Sequence, residues 1–244
     1  KEVLITENSY KDENIEITLE TIREKQTDIY LVDVKVSSVD YLKTAFAKNT
    51  YGKNVSEVTS KIAKDHDAIL AINGDFYGVQ EKGYVLRNYK MYRKTSKKNQ
   101  SDLVIKSDGS FEIIEEGKVK LEDIEDAKEV LSFGPALIKD GKIQVTKYEE
   151  VAKARASNPR TAIAILENNH YLFLVSDGRT KKSKGLSLYE LAKFLQKYDV
   201  VHAYNLDGGG SSTLYFNGEV INTPTHDGKN IKERKVSDIV YIGY

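Results

Sequence analysis

Short apolar runs closed by turn dipeptides dominate this sequence and most constrain its fold. Ser107-Asp108-Gly109 separates 103–105 from 111–114, Asp140-Gly141 separates 130–138 from 142–145, and Asn217-Gly218 separates 213–216 from 219–221. Asp-Gly and Asn-Gly supply the left-handed backbone that tight hairpins need. Ile15, Ile17 and Leu19 alternate with polar neighbours ahead of a β-branched run at 29–36, and 162–166 and 171–175 flank 167–170 in the same way. Period-two alternation and β-branched enrichment read as strands. Residues 84–91, 200–206 and 236–242 add three more expected strands, and 68–72 (AILAI) reads as a strand buried on both faces.

Helical spacing is confined to two stretches. Val55, Val58 and Ile62 predict a helix over 55–65 capped by Asn54 or Ser56. Leu188, Leu191, Ala192 and Leu195 form one stripe over 186–198, with Ser187 as the N-cap. Many strands, few helices and no βαβ alternation predict an α+β fold with a mostly antiparallel or mixed sheet. No repeat and no Pro/Gly/Ser linker divides the chain, so a single domain over 1–244 is expected. The basic run 93–98 (RKTSKK) reads as a solvated loop.

Composition removes several classes of function. Lys plus Arg and Asp plus Glu each total 37, a net charge of zero, which argues against nucleic-acid wrapping. No apolar window is long enough for a membrane span. With no cysteine there is no thiol nucleophile, disulfide or Cys-built zinc site. The chain opens on Lys1 rather than methionine, which reads as a processed or trimmed chain.

The chemistry concentrates at three places where an apolar run ends in a carboxylate beside glycine: Asn73-Gly74-Asp75, Asp177-Gly178-Arg179, and Asn205-Leu206-Asp207-Gly208-Gly209-Gly210-Ser211-Ser212. Groups at strand ends are held rigidly yet exposed. A single Asp-Gly marks only a turn. Three consecutive glycines cost about 1 kcal/mol each in backbone entropy, more than a turn requires. Their amides predict an anion-binding concavity, with Ser211 and Ser212 adding hydroxyl donors. No Gly-Lys-Ser/Thr follows, and a strand rather than a helix comes next, so neither phosphate-loop fingerprint applies.

Arg87, Arg160, Arg179 and Arg234 lie near glycine, proline or strand-boundary signals, where a guanidinium fork would grip phosphate oxygens. His66, His170, His202 and His226 form no recognised triad with Ser and Asp. Asp75, Asp177 and Asp207 with carbonyls would suit Ca²⁺ or Mg²⁺ as oxygen ligands; no other metal pattern stands out.

In order, AINGDFYG (71–78), SFGPALIKDGK (132–142), NPRTAIAI (158–165), SDGRTKKSKGLSLYELAKFL (176–195), NLDGGGSSTLYFNGEVIN (205–222) and ERKVSDIVYIG (233–243) resemble the phosphodiester glycosidase family. The resemblance runs from about residue 55 to the C-terminus and covers 1–50 less well. Many members of that family read Asn-Gly-Gly where this chain reads Asn73-Gly74-Asp75. The resemblance implies hydrolysis of the bond between a sugar's anomeric carbon and a phosphodiester oxygen, on a bacterial glycan or a GlcNAc-1-phosphodiester, outside the cell or at its surface. Asp207, Asp177 and Asp75 are the candidate catalytic carboxylates. Asn73, Gly74, Arg87, Arg160, Arg179, Asn205, Gly208, Gly209, Gly210, Ser211, Ser212 and Arg234 are the candidate sugar and phosphate contacts. Two other readings stay open: a glycan-phosphate binding module without turnover, and a Ca²⁺- or Mg²⁺-dependent phosphodiesterase.

Overall fold

The computed structural model describes residues 2–147 and 156–244, which form three sheets. The largest runs, in spatial order, Leu4–Thr6, Ser9–Lys11, Ile15–Glu24, Thr27–Val36, His170–Ser176, Arg160–Glu167, His202–Asn205, Ala136–Lys139 and Lys142–Ile143. A second runs Glu219–Val220, Leu214–Phe216, Leu70–Asn73, Asp238–Ile242 and Leu42–Phe46. The third runs Phe111–Glu115, Ser101–Lys106, Ala127–Leu131, Val85–Arg87 and Lys90–Arg93. Every described ladder is antiparallel, so the fold is the expected α+β arrangement, with the helices Thr59–Asp65 and Leu188–Gln196. Neither helix is long and apolar enough to cross a membrane.

Side-chain alternation builds layers from these sheets. Ile163, Ile165, Tyr171, Phe173 and Val175 pack on Leu70, Ile72, Leu214, Phe216, Val240 and Ile242 of the second sheet. From the opposite face of the same strands, Ala162, Ala164, Leu172 and Leu174 meet Leu188, Leu191, Ala192 and Leu195 of the helix. The second sheet repeats the device: Ala71, Tyr215, Ile239 and Tyr241 turn outward onto Ile62 and Ala63. Helix, sheet, sheet and helix thus stack, which explains why the central strands read as continuous apolar runs although they are antiparallel.

Three local expectations are corrected by long-range contacts. The first helix starts at Thr59, not Val55, because Glu57 and Val236 exchange backbone hydrogen bonds of 3.0 and 2.8 Å. Its cap comes from a distant residue: Glu233 accepts from the Ser60 amide at 3.0 Å and the Ser60 hydroxyl at 2.5 Å. The expected strand at 84–91 is two, turning at Asn88 and Tyr89, which have φ of 49° and 70°. The expected strand at 130–138 breaks between Leu131 and Ala136, where the chain leaves the third sheet for the largest. The second helix has the expected cap, completed by Glu190, whose Oε1 accepts from Ser187 N at 2.9 Å. Arg93 is half-buried rather than solvated, donating to the carbonyls of Gln80 at 2.6 Å and Gly83 at 2.7 Å.

Register brings the strand ends together. Arg160 lies opposite Ser176 and Ala162 opposite Asn205, so three strands present one edge. In the facing sheet Ile239 lies opposite Asn73. The sheets are tied there: Thr161 Oγ1 donates to Asn73 Oδ1 at 2.8 Å, and Asn73 Nδ2 donates to the Asp207 carbonyl at 2.6 Å.

Candidate active site

The glycine turn rests on Pro159. A Cβ on Gly208 would lie 2.7 Å from the Pro159 carbonyl oxygen, and one on Gly178 would lie 2.6 Å from its nitrogen. Only glycine lets both corners close on one residue. Gly209 has φ of 60°, and a Cβ there would meet Arg179 Nη2 at 3.0 Å. The guanidinium of Arg179 therefore lies over the bend, held by the His226 carbonyl at 2.9 Å and by Asn158 Oδ1 at 3.3 and 3.4 Å. Arg179 and Phe76 both have left-handed backbone, with φ of 63° and 59°. Backbone strain of this kind in non-glycine residues is a feature of functional loops.

Asp207 sits at the centre. Its side chain is 9% exposed and that of Arg234 is 34% exposed, with Nη2 at 3.2 Å from Oδ2. Arg234 Nε donates to Ser211 Oγ at 2.9 Å, and the guanidinium lies 5.5 Å from the Phe76 ring centroid. Burial pushes the Asp207 carboxyl above its ordinary value, while Ser211 and Arg234 pull the other way. The accessible face combines a desolvated carboxyl with two cations, and exposed His226 borders it at Gly210.

Several expected contacts serve the scaffold instead. Asp75 is fully buried; its Oδ2 accepts from Arg87 Nη2 at 2.8 Å and from Ser132 N at 2.9 Å. Arg87, 2% exposed, also donates to Asp238 Oδ2 at 3.0 Å and so faces no solvent. Burial disfavours the charge on Arg87, but Asp75, Asp238 and Glu129 outweigh it and hold the guanidinium above its ordinary value. Gly74 closes this arrangement, since a Cβ there would meet Asp238 Oδ1 at 2.4 Å. Asn205, buried, donates to the Gly134 carbonyl at 2.9 Å.

Asp177 accepts from Asn222 Nδ2 and Thr223 N, each at 3.0 Å, and from Tyr30 Oη at 3.1 Å. Burial raises its pKa, and those donors oppose the rise. Arg160 is buried and donates to the carbonyls of Leu186 at 2.8 Å and Ala156 at 2.9 Å. Burial, reinforced by Arg179, pushes it down to about 10.

Part of the amide concavity expected of this loop is spent inside the protein. Gly209 N donates to Pro159 O at 3.0 Å, Ser211 N to Gly208 O at 3.2 Å, and Ser212 N to Gly209 O at 3.1 Å. Ser212 Oγ lies 3.1 Å from Thr161 Oγ1 inside the core. These bonds form a single 3-10 turn, Gly209–Ser211. The cations beside the turn are the guanidiniums of Arg179 and Arg234. Among the described residues no three His, Asp or Glu side chains form a cage for a metal. Asp75, Asp177 and Asp207, expected as oxygen ligands, each face N–H or guanidinium donors, a set that does not fit Ca²⁺ or Mg²⁺.

Four residues that the sequence reading did not select shape the site: Phe76, Pro159, Asn222 and Asp238. Only Asp238 carried a signal, as a carboxylate inside the apolar run 236–242. Behind the Asp75 and Arg87 pair lies Asp102, also fully buried. Neither of its oxygens has a hydrogen-bond partner of ordinary geometry, and its neighbours include Glu116 and Asp75. Glu116 itself accepts from Ser132 Oγ at 2.7 Å and Tyr84 N at 3.0 Å. Burial first, then Glu116, pushes Asp102 up to about 11 from 3.8.

The folded protein thus keeps a proton on Asp102 that the unfolded chain releases above pH 3.8. That stabilisation is complete below about pH 4 and is lost progressively up to the folded value. Asp102→Asn is therefore expected to flatten the decline of stability between pH 5 and 9 by about one proton, read from denaturation free energies. Identical slopes in the two proteins would show that Asp102 does not hold this proton.

The sequence profile of the phosphodiester glycosidase family matches residues 66–243. The chain belongs to the phosphodiester glycosidase family. It is 28% identical over 220 residues to the SPbeta prophage-derived uncharacterized protein YomE of Bacillus subtilis, covering 86% of this chain and 33% of that protein. It is 29% identical over 202 residues to human N-acetylglucosamine-1-phosphodiester alpha-N-acetylglucosaminidase, covering 74% of this chain and 38% of that protein. The chain thus spans about a third of the length of these curated relatives. The catalytic domain of the zebrafish N-acetylglucosamine-1-phosphodiester alpha-N-acetylglucosaminidase, auto-inhibited by its pro-peptide, shares the fold. Its TM-score is 0.74 at 20% identity, over 94% of this chain and 83% of that one. A hypothetical protein from Synechocystis aligns with a TM-score of 0.69 at 15% identity, over 94% of this chain and 62% of that one.

Proposed function

We propose that the chain hydrolyses the bond between a sugar's anomeric carbon and a phosphodiester oxygen, on a bacterial glycan or a GlcNAc-1-phosphodiester. The observation that carries this is Asp207, a desolvated carboxyl set beside Arg234, with Arg179 across the glycine turn. Cleavage of C1–O transfers the bonding pair to the phosphate, which departs as a phosphomonoester, and water supplies oxygen to C1. A phosphate needs little protonation to leave; it needs its growing charge met, which Arg234 and Arg179 do. Asp207 faces the oxocarbenium-like carbon, as nucleophile or as the base that takes the water proton. Asp75, Arg87, Asn73, Asn205, Asp177 and Arg160 hold the loops that set this geometry.

The test is incubation with UDP-GlcNAc or another GlcNAc-1-phosphodiester, with and without EDTA, followed by product identification. Free GlcNAc supports glycosidic cleavage. GlcNAc-1-phosphate supports a phosphodiesterase, and binding without any product supports a module that only holds the ligand. Arg234→Lys is expected to raise KM about tenfold, because a point charge replaces a fork that reaches phosphate bidentately. Unchanged KM and kcat would move Arg234 from the substrate to the scaffold.

A further inference from the structure

A cavity of about 200 Å³ lies next to this site, walled by Tyr51, Tyr77, Gln80 and Arg93, with Lys53 and Glu81 also lining it. The cavity and the candidate site share two chain segments. Phe76, which packs on Arg234, is followed directly by Tyr77; and Gly78 N donates at 3.1 Å to Ser237 Oγ, three residues beyond Arg234.

The wall is rigid and aromatic. Tyr51 and Tyr77 stack at 5.1 Å and 11°, and Phe46 meets their rings edge-on at 5.7 and 5.3 Å. Tyr92 extends the cluster 5.0 Å from Tyr51. Tyr77 is buried, whereas Tyr51, the other aromatic residue lining the cavity, is half-buried. Arg93 is fixed by backbone carbonyls, among them that of Tyr77 at 3.3 Å, so it braces the wall. Lys53 and Glu81 pair with each other, their side chains 61% and 74% exposed. Gln80 closes the cavity on the side of Gly83.

The volume is below that of a site for a drug-sized molecule and suits a single ring. A pyranose has the matching chemistry, with a C–H face for an aromatic surface and hydroxyls for the exposed carboxylate of Glu81 and ammonium of Lys53. We propose that this cavity is a subsite for one pyranose ring of the glycan that the substrate carries beyond its phosphodiester, an inference that rests on the function proposed above.

The test separates this inference from that function by reading binding without turnover. Chitotriose and maltotriose, neither containing phosphate, are titrated into the Asp207→Asn protein while backbone amide resonances are followed. Binding of at least one, with shifts centred on Gly52, Gly78 and Gln80, is expected. Tyr51→Ala is expected to weaken that binding about tenfold. Glu81→Ala, on an exposed side chain that the fold does not need, is expected to weaken it severalfold and decides the matter if Tyr51→Ala does not fold. In the otherwise native protein, either variant raises KM for a glycan-bearing phosphodiester and leaves a methyl phosphodiester unaffected. No shift with either oligosaccharide, or affinity unchanged in the folded variants, overturns the subsite whether or not the protein proves catalytic.

Discussion

Asp207→Asn is expected to lower turnover on a sugar-1-phosphodiester at least about a hundredfold while leaving the fold intact. The amide keeps the shape of the carboxyl and can still accept from Arg234, so the 3.2 Å contact survives in weakened form. What it loses is the negative charge that the proposed mechanism sets against the anomeric carbon in the transition state. The variant should therefore melt near the parent temperature and lose kcat far more than it changes KM. A kcat within a few fold of the parent would remove Asp207 from the chemistry. The pH profile gives a second reading. Burial raises the Asp207 pKa above 3.8 in the free protein, so the acid limb of kcat/KM should lie above that of an ordinary carboxylate. The Asn variant should lack that limb.

Arg87→Ala carries the largest expected effect on stability, about 3–5 kcal/mol, because it leaves two buried carboxylates without their cation. Asp75 and Asp238 are both fully buried and both bonded to the same Nη2 atom, at 2.8 and 3.0 Å. Burial first, then Asp75, pushes Asp238 up to about 7 despite Arg87. Urea denaturation at neutral pH measures the loss. Adding Asp238→Asn to Arg87→Ala should recover part of it by removing one of the stranded charges. A loss below about 1 kcal/mol would mean that water or a rearrangement already serves these carboxylates, contrary to their burial.

The hairpins were legible because turn chemistry is local: Asn217-Gly218 and Asp108-Gly109 sit where two strands reverse, as expected. The helix Leu188–Gln196 was legible for the same reason, its cap and stripe both being written within a few residues. What sequence could not supply was partnership across the chain. Glu233 caps a helix more than 170 residues earlier, and nothing near Ser60 announces it. The three carboxylates at strand ends were legible as a set, but their division of labour depends on burial. Asp75 and Asp207 follow glycine-adjacent junctions of similar appearance, yet one faces Arg87 in the interior and the other reaches a half-open Arg234. The glycine run was legible as unusual, whereas the close approach of Pro159, Arg179 and His226 to its three glycines was not.

Pro159 has a consequence for how such a chain can diverge. Two turns from distant parts of the sequence close on it, and the neighbouring Asn158 receives Arg179 and exchanges backbone bonds with Leu186 at 3.0 and 3.2 Å. An insertion in any one of these corners would displace the others, so a length change at one should cost stability at all three. Variation is left to the periphery, where His226 and the Tyr51 cavity can change without moving the keystone. New ligand preferences in proteins built this way should arise by altering that rim while the interlocked centre stays still.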